Sequence, residues 1–123
     1  LEFLDVTIAI KRCRRRRGGG TAEALALDVT HTGSFSAFLA AVEDHWGPLD
    51  VLVNNAGVMW VGRFDEEPES ATDRQLAVNL HGVIRGVRLA APAMRERGRG
   101  QIVTVASAAS KGAPSGESTY AAT

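Results

Sequence analysis

Short apolar runs separated by turn-forming residues recur along the chain and predict strands. Residues 6–10 form a β-branched run of strand length, and residues 24–27 form a second apolar run. Residues 49–53 and 101–105 are two further candidates. Val51-Leu52-Val53 is continuously apolar, which is typical of a strand covered on both faces. The pattern therefore predicts four strands.

Two other stretches have the periodicity of helices. Between residues 34 and 45, apolar residues recur at spacings of three and four, which predicts an amphipathic helix. Ser34 or Thr32 is the expected N-cap, and Gly47 is expected to end this helix. A longer helix is predicted from about residue 72 to residue 96.

The order of these elements is strand, strand, helix, strand, helix, strand. Helices that alternate with buried strands predict the α/β class, here a doubly wound parallel sheet with helices on both faces. Residues 66–70 and 106–120 are predicted to be loops, and residues 1–123 are predicted to form one partial domain. Ligands bind beyond the carboxyl ends of the strands in such sheets, which makes that edge the expected site.

Composition narrows the functional classes. Hydrophobic residues make up 45% and charged residues 23%, and 14 basic residues balance 14 acidic ones. This globular balance provides no net field that would recruit nucleic acid or a membrane, and no apolar run approaches the ~18 residues of a spanning helix. The single cysteine, Cys13, cannot form an internal disulfide, which favours a cytoplasmic protein. No metal is expected.

Polar residues at the expected edge of the sheet are candidates for chemistry, and each has a plainer explanation. The small residues of Asn54-Asn55-Ala56-Gly57 allow close approach of a flat ligand, but a turn explains the same letters. Asn79 either packs between elements or faces a cleft. Tyr120 can act as acid or base only if positive charge lowers its pKa, and Ser107 can donate to a developing oxyanion. Singly, both hydroxyls are ordinary surface groups.

Four motifs taken together resemble the short-chain dehydrogenase/reductase family. In chain order they are Leu27-Asp28-Val29-Thr30, Asn54-Asn55-Ala56-Gly57, Asn79-Leu80-His81-Gly82, and Ser107 with Tyr120-Ala121-Ala122. Four signals in the right order and spacing are far more specific than one. The resemblance covers residues 22–123, and residues 1–21 are atypical. It implies an α/β fold with an incomplete Rossmann-like doubly wound parallel sheet.

The resemblance implies hydride transfer between NAD or NADP and a small-molecule carbonyl or secondary alcohol. Tyr120 would be the proton donor or acceptor, Ser107 would hold the substrate oxygen, and Asn79 would anchor a water in a proton relay.

The resemblance also implies where the cofactor would bind. Asp28 would meet the adenine ring, with Val29 beside it. The backbone of Asn55, Ala56 and Gly57 would line the adenosine ribose.

Two departures from the family pattern bear on activity. The family places a lysine four positions after the tyrosine, and the sequence ends at Thr123, one position short of it. That lysine is the charge expected to lower the pKa of the tyrosine. The family also opens with a strand and a glycine-rich turn that hold the pyrophosphate, whereas Gly18-Gly19-Gly20 precedes a strand. We therefore expect no useful catalysis from the chain on its own.

The basic segment leaves several alternatives open. Lys11 or Arg12 could bind a ribose 2′-phosphate and favour NADP, while a frame-shifted join or a solvated segment explains the four arginines that follow Cys13. The rival to an enzyme is a truncated, non-catalytic Rossmann-fold remnant that acts as a binding or assembly piece. In the family the helix that carries Asn79 commonly packs against a partner subunit, so a homo-oligomer is expected of the full-length protein.

Overall fold

A computed structural model describes residues 6–10, 22–112 and 114–123. The basic segment, with Lys11, Arg12, Cys13 and the three consecutive glycines, lies outside the described residues. The elements in chain order are β1 (Val6–Ile10), β2 (Ala22–Ala26), α1 (Thr32–Trp46), β3 (Val51–Asn54), a 3₁₀ turn (Phe64–Glu66), α2 (Glu69–Gln75), a π-helical segment (Leu76–Gly82), α3 (Val83–Glu96), β4 (Gln101–Thr104), α4 (Ala109–Gly112) and α5 (Ser118–Ala122).

The two strands of the second half pair in parallel, as the alternation of helices and strands predicts. β3 and β4 are in register from Val51 opposite Gln101 to Asn54 opposite Thr104. α3 is the crossover that joins them and packs against both strands, and α1 packs against α3. The carboxyl ends of β3 and β4 therefore lie side by side, which agrees with an incomplete α/β Rossmann fold.

The first two strands form a separate antiparallel pair, which the sequence pattern does not predict. Val6 lies opposite Ala26 and Ile10 lies opposite Ala22. Parallel neighbours need a crossover of about a dozen or more residues, usually a helix, whereas antiparallel strands can be joined by a short connection. The interval between these two strands is shorter than such a crossover.

The observed helices are longer than their patterns predict. α1 starts at Thr32, and neither Ser34 nor Thr32 is its N-cap, because His31 occupies that position without a side-chain cap. Both hydroxyls are engaged elsewhere: Ser34 Oγ accepts from the backbone N–H of Asp28, and Thr32 Oγ1 accepts from Arg85 Nε. Gly47 ends α1 as predicted, with a φ of 78°.

The second helical stretch begins before the predicted residue and is interrupted in the middle. Glu69 and Ser70 belong to α2 rather than to a loop, because the Pro68 carbonyl accepts from the backbone N–H groups of Ala71 and Thr72 and starts the helix. The π-helical segment separates α2 from α3. No helix in the described part of the chain has the length and apolar character needed to cross a bilayer.

The hydrophobic core lies between α1, the π-helical segment, α3 and the inner face of β3. Phe35 and Phe38 of α1 meet edge to face, with ring centroids 6.4 Å apart. The buried apolar residues are Leu27, Val29, Phe35, Phe38, Val42, Leu52, Val78, Ala90 and Met94. Gly86 lets α3 approach this core closely. A Cβ at that position would clash with Asn54 Oδ1 and lie 2.9 Å from Phe35 Cζ.

Gly86→Ala is therefore expected to destabilise the fold. Overpacking of this kind lowers the free energy of unfolding by about 1–3 kcal/mol, more than the gain in helix propensity. Urea denaturation monitored by circular dichroism measures the change.

Gly33→Ala is the matched control, because Gly33 is also helical and a Cβ there meets nothing within 4 Å. We expect it to be neutral or to stabilise by up to about 1 kcal/mol. Equal stability of the Gly86 variant and the parent protein would contradict the close approach of α3.

Candidate active site

Asp28 is exposed in the turn that links β2 to α1. It lies between the buried residues Leu27 and Val29. Its Oδ1 accepts from Thr30 N at 2.8 Å and from Thr30 Oγ1 at 2.6 Å, and its Oδ2 lies 2.9 Å from His31 Nδ1. The hydroxyl of Thr30, followed by its backbone N–H, lowers the pKa of the Asp28 carboxyl below its ordinary value, and His31 adds to this effect. The turn thus presents a carboxylate.

Arg85 fixes this turn to α3. Its guanidinium donates to the Val29 carbonyl, and its Nε donates to Thr32 Oγ1 at 3.1 Å. The Val29 side chain packs against Gly82, where an added Cβ would lie 3.1 Å from Val29 Cγ2. The residues predicted to meet an adenine ring are therefore held by the same long helix that carries Asn79.

The Asn54-Asn55-Ala56-Gly57 motif divides its side chains between the interior and the surface. Asn54 is buried, and within the described residues its Nδ2 has no hydrogen-bond partner. Asn55 and Gly57 are exposed, and Ala56 is half-buried. The motif continues β3 beyond its carboxyl end, at the edge where ligands of parallel sheets bind.

A crevice runs along this edge of the sheet. Its lining includes Val29, Asn54, Asn55, Ala56 and Gly82. Its walls combine apolar side chains, the exposed backbone after β3 and an unpartnered buried amide, and the Asp28 carboxylate lies next to Val29 in the adjoining turn. Apolar walls with a few polar groups are typical of small-molecule pockets. Among the described residues, no group of three or more His, Cys, Asp or Glu could hold a metal ion.

Asn79 lies in the π-helical segment and connects three parts of the site. Its Oδ1 accepts from Val58 N at 2.8 Å, and its Nδ2 donates to Val58 O at 2.9 Å and to Thr123 Oγ1 at 2.9 Å. Gly57 lies beside it, since a Cβ there would be 3.7 Å from Asn79 Oδ1. The side chain therefore links the end of the β3 motif to the segment that contains Tyr120. π-helical turns occur frequently at functional sites.

Tyr120 and Ser107 lie on two short helices that the sequence pattern predicts as loop. Tyr120 is half-buried in α5, and its carbonyl accepts from Thr123 Oγ1 at 3.0 Å. Ser107 is exposed before α4, and its Oγ accepts from Ala109 N at 3.2 Å. The prediction of a continuous loop is wrong because this capping bond, together with the Lys111 N–H bond to the Ala108 carbonyl at 3.0 Å, closes a helical turn.

The structure brings the predicted site residues together to different degrees. Asn79 reaches the backbone of Tyr120 through Thr123 Oγ1. α4, which follows Ser107, packs against α5. Within the part of the chain that is described, however, the Ser107 hydroxyl makes no hydrogen bond to Tyr120 or Asn79.

Four residues that sequence reasoning does not single out take part in this region. Arg85 holds the Asp28 turn, while Glu67, Gln75 and Thr119 form a separate polar cluster beside Tyr120. Gln75 carries one detectable signal, because it lies four residues before Asn79 and so on the same face of the helix. The contact of Glu67 with Thr119 has no such signal, since the two residues are 52 positions apart.

The state of the Asp28 carboxyl gives a pH-dependent prediction. Because the fold lowers its pKa, its stabilising contribution is present above the ordinary value and is lost as the pH falls through the lowered one. Thr30→Val removes the hydroxyl bond and is expected to raise the Asp28 pKa towards its ordinary value. An NMR titration of the carboxyl carbon measures the change. His31→Ala serves as the comparison and should raise the pKa less; an unchanged pKa in Thr30→Val would contradict the assignment.

The sequence has relatives among characterised and uncharacterised oxidoreductases. An uncharacterized oxidoreductase of Mycobacterium bovis is 37% identical over 120 residues, which cover 96% of this chain and 49% of that protein. A D-beta-hydroxybutyrate dehydrogenase of Rhizobium meliloti is 40% identical over 81 residues, which cover 66% of this chain and 31% of that protein. The chain thus spans about half the length of the first relative and less of the second.

The chain is also similar to dehydrogenases of known structure. A short-chain dehydrogenase of Streptomyces avermitilis matches with a TM-score of 0.73 and 37% identity over 80% of this chain and 36% of that one. An alcohol dehydrogenase of Thermococcus sibiricus, complexed with 5-hydroxy-NADP, matches with a TM-score of 0.71 and 28% identity over 78% of this chain and 40% of that one. The short chain dehydrogenase family profile matches residues 5–123. Because the family match spans nearly the whole sequence and the fold agrees, the chain belongs to the short-chain dehydrogenase family.

Proposed function

We propose that this chain is part of an NAD(P)-dependent oxidoreductase that interconverts a carbonyl compound and a secondary alcohol. The observation that carries the proposal is the Asn79 carboxamide, which joins the backbone after β3 to the segment that holds Tyr120. This link supports a site in which the segment of Tyr120 lies near the edge of the sheet where a dinucleotide would bind. The Thermococcus sibiricus relative, solved with an NADP derivative, supports the class of cofactor.

The adenosine half of the cofactor would be held by Asp28, Val29, Asn55, Ala56 and Gly57. The Asp28 carboxylate retains lone pairs beyond those that Thr30 and His31 engage, so it can still accept from an adenine amine or a ribose hydroxyl. The exposed backbone of residues 55–57 offers further polar groups. When bound, the nicotinamide group supplies the hydride chemistry, and the protein supplies orientation and proton transfer.

Tyr120 would exchange a proton with the substrate oxygen, and Ser107 would donate a hydrogen bond to that oxygen. A donor aimed at a developing oxyanion stabilises the transition state more than the ground state. Asn79 Oδ1 accepts one bond from Val58 N and keeps a second lone pair, so it can also anchor a water of a proton relay. A lysine supplied after Thr123 would complete the set by lowering the Tyr120 pKa.

An apolar stripe on the long helix suggests where a second copy would pack. Leu80, Ile84 and Val87 follow one another at helical spacing and are between 37% and 40% exposed. Burying such a stripe in a homo-oligomer removes apolar surface from water. A cytoplasmic location remains a prediction from the cysteine usage.

Tyr120→Phe tests the proposal in the complete gene product. Loss of a general acid–base group lowers turnover by about 10²–10⁴-fold, while the binding of reduced cofactor should stay close to that of the parent protein. Absorbance of the reduced nicotinamide measures turnover over a panel of ketones and secondary alcohols, and its fluorescence measures binding.

Ser36→Ala is the control, because Ser36 is an exposed residue of α1 on a different element. It should leave both quantities unchanged. Retained turnover in the Tyr120 variant would remove this phenol from the mechanism. Absence of both turnover and cofactor binding in the parent protein would favour the non-catalytic remnant.

A further inference from the structure

Glu67 has a half-buried carboxylate that bonds to α2 at Thr72 and Gln75 and to α5 at Thr119. Its Oε1 accepts from Gln75 Nε2 at 2.7 Å and from Thr72 Oγ1 at 3.0 Å. Its Oε2 accepts from Thr119 Oγ1 at 2.7 Å. Hydrogen bonds to an ionised acceptor are shorter and stronger than neutral ones. The carboxylate therefore forms a junction that joins α2 to α5.

Gln75 fixes the junction from the side of the helix. It is buried, with only 2% of its surface exposed, and its Oε1 accepts from Trp60 N at 3.2 Å. Its amide therefore joins the segment after β3 to Glu67 and leaves the carboxylate little freedom. A buried polar group is retained at low cost only when its bonds are satisfied, as they are here.

The third contact of Glu67 bears directly on Tyr120. Thr119 is the residue immediately before Tyr120 in α5, a helix of five residues. Isolated helices this short are unstable in water, so the position of α5 depends on its tertiary contacts. Thr123, at the other end, is bound by Asn79 Nδ2, and the Gly116 carbonyl before the helix accepts from Gly62 N at 3.0 Å.

We propose that Glu67 is a positioning residue for Tyr120. It holds one end of α5 through Thr119, while Asn79 holds the other end through Thr123. The inference rests on the proposed function, because it assigns Glu67 a role in aiming the phenol at the substrate oxygen. Glu67 itself touches neither substrate nor cofactor in this assignment.

Glu67→Ala in the complete gene product is the first test. Loss of the junction should lower kcat by about tenfold or more, up to the ~10²-fold that a misplacement of 1 Å costs. The KM for cofactor and the cofactor affinity should stay the same, because the crevice beside Asp28 is formed by other residues. Glu66→Ala is the matched control, since the neighbouring Glu66 carboxylate is exposed and contacts only Arg63, at 3.5 Å, in the described structure.

Glu67→Gln should restore most of the lost activity. A glutamine carbonyl can still accept from Gln75 and Thr72, and its amide can donate to the Thr119 hydroxyl. Thr119→Val removes the same bond from the other side and should lower kcat in the same way. Glu67→Ala and Thr119→Val remove the same hydrogen bond. Their effects on kcat should therefore be less than additive in the double variant.

Hydrogen exchange at the amides of residues 118–123 gives a readout that does not depend on turnover. Ala121 N donates to the Glu117 carbonyl and Thr123 N donates to the Tyr120 carbonyl, so both amides report on α5. We expect faster exchange there in Glu67→Ala, with unchanged exchange in α1. Glu66→Ala should exchange like the parent protein.

The outcomes separate the two proposals. If the parent protein exchanges as expected but turns over no carbonyl or alcohol, the positioning contact stands as a structural one and both the proposed function and its catalytic consequence fail. If the parent protein is active and Glu67→Ala matches it in kcat and in exchange, Glu67 does not position Tyr120. Loss of protection throughout the fold in Glu67→Ala, with no rescue by Glu67→Gln, would also overturn the inference.

Discussion

The Asn79 carboxamide is the interaction on which the arrangement of the site depends. Its two bonds to the Val58 backbone fix the chain just beyond β3, and its third bond reaches Thr123 beside Tyr120. An amide can do this because it offers an acceptor and two donors from one rigid plane. With the long helix as its support, a single side chain sets the distance between the expected cofactor edge and the expected proton donor.

Close packing brings the helix near enough for these bonds to form. Gly82 lies against Val29, and Gly86 lies against Asn54 and Phe35, so the π-helical segment and α3 approach both strand ends without a side chain between them. Arg85, between the two glycines in sequence, then bonds to the Val29 carbonyl. Close packing and polar contacts thus alternate along one helix. The same helix therefore positions both the Asp28 turn and the β3 motif.

The polar cluster around Glu67 adds a second support on the far side of Tyr120. Glu67 precedes α2, Gln75 ends α2 and Thr119 lies in α5, and the Glu67 carboxylate bonds to both of the others. α5 is too short to be stable alone. The position of Tyr120 therefore depends on the contacts at the two ends of this helix. Under the proposed function, this placement contributes to the rate of proton transfer.

Local patterns in the sequence determined β3, β4, most of the long helical stretch between them, the parallel pairing of the two strands, and the family, because periodicity and short motifs depend on neighbours in the chain. The loop predicted between Ser107 and Tyr120 contains two short helices, and the antiparallel pairing of β1 with β2 has no signal in the pattern. The predicted N-caps of α1 were wrong because Ser34 and Thr32 bond to groups outside their own helix. Only the tertiary structure joined Glu67 to Thr119, 52 positions away, and Asn79 to Thr123, 44 positions away. Such contacts depend on how whole elements pack, and no local rule encodes that.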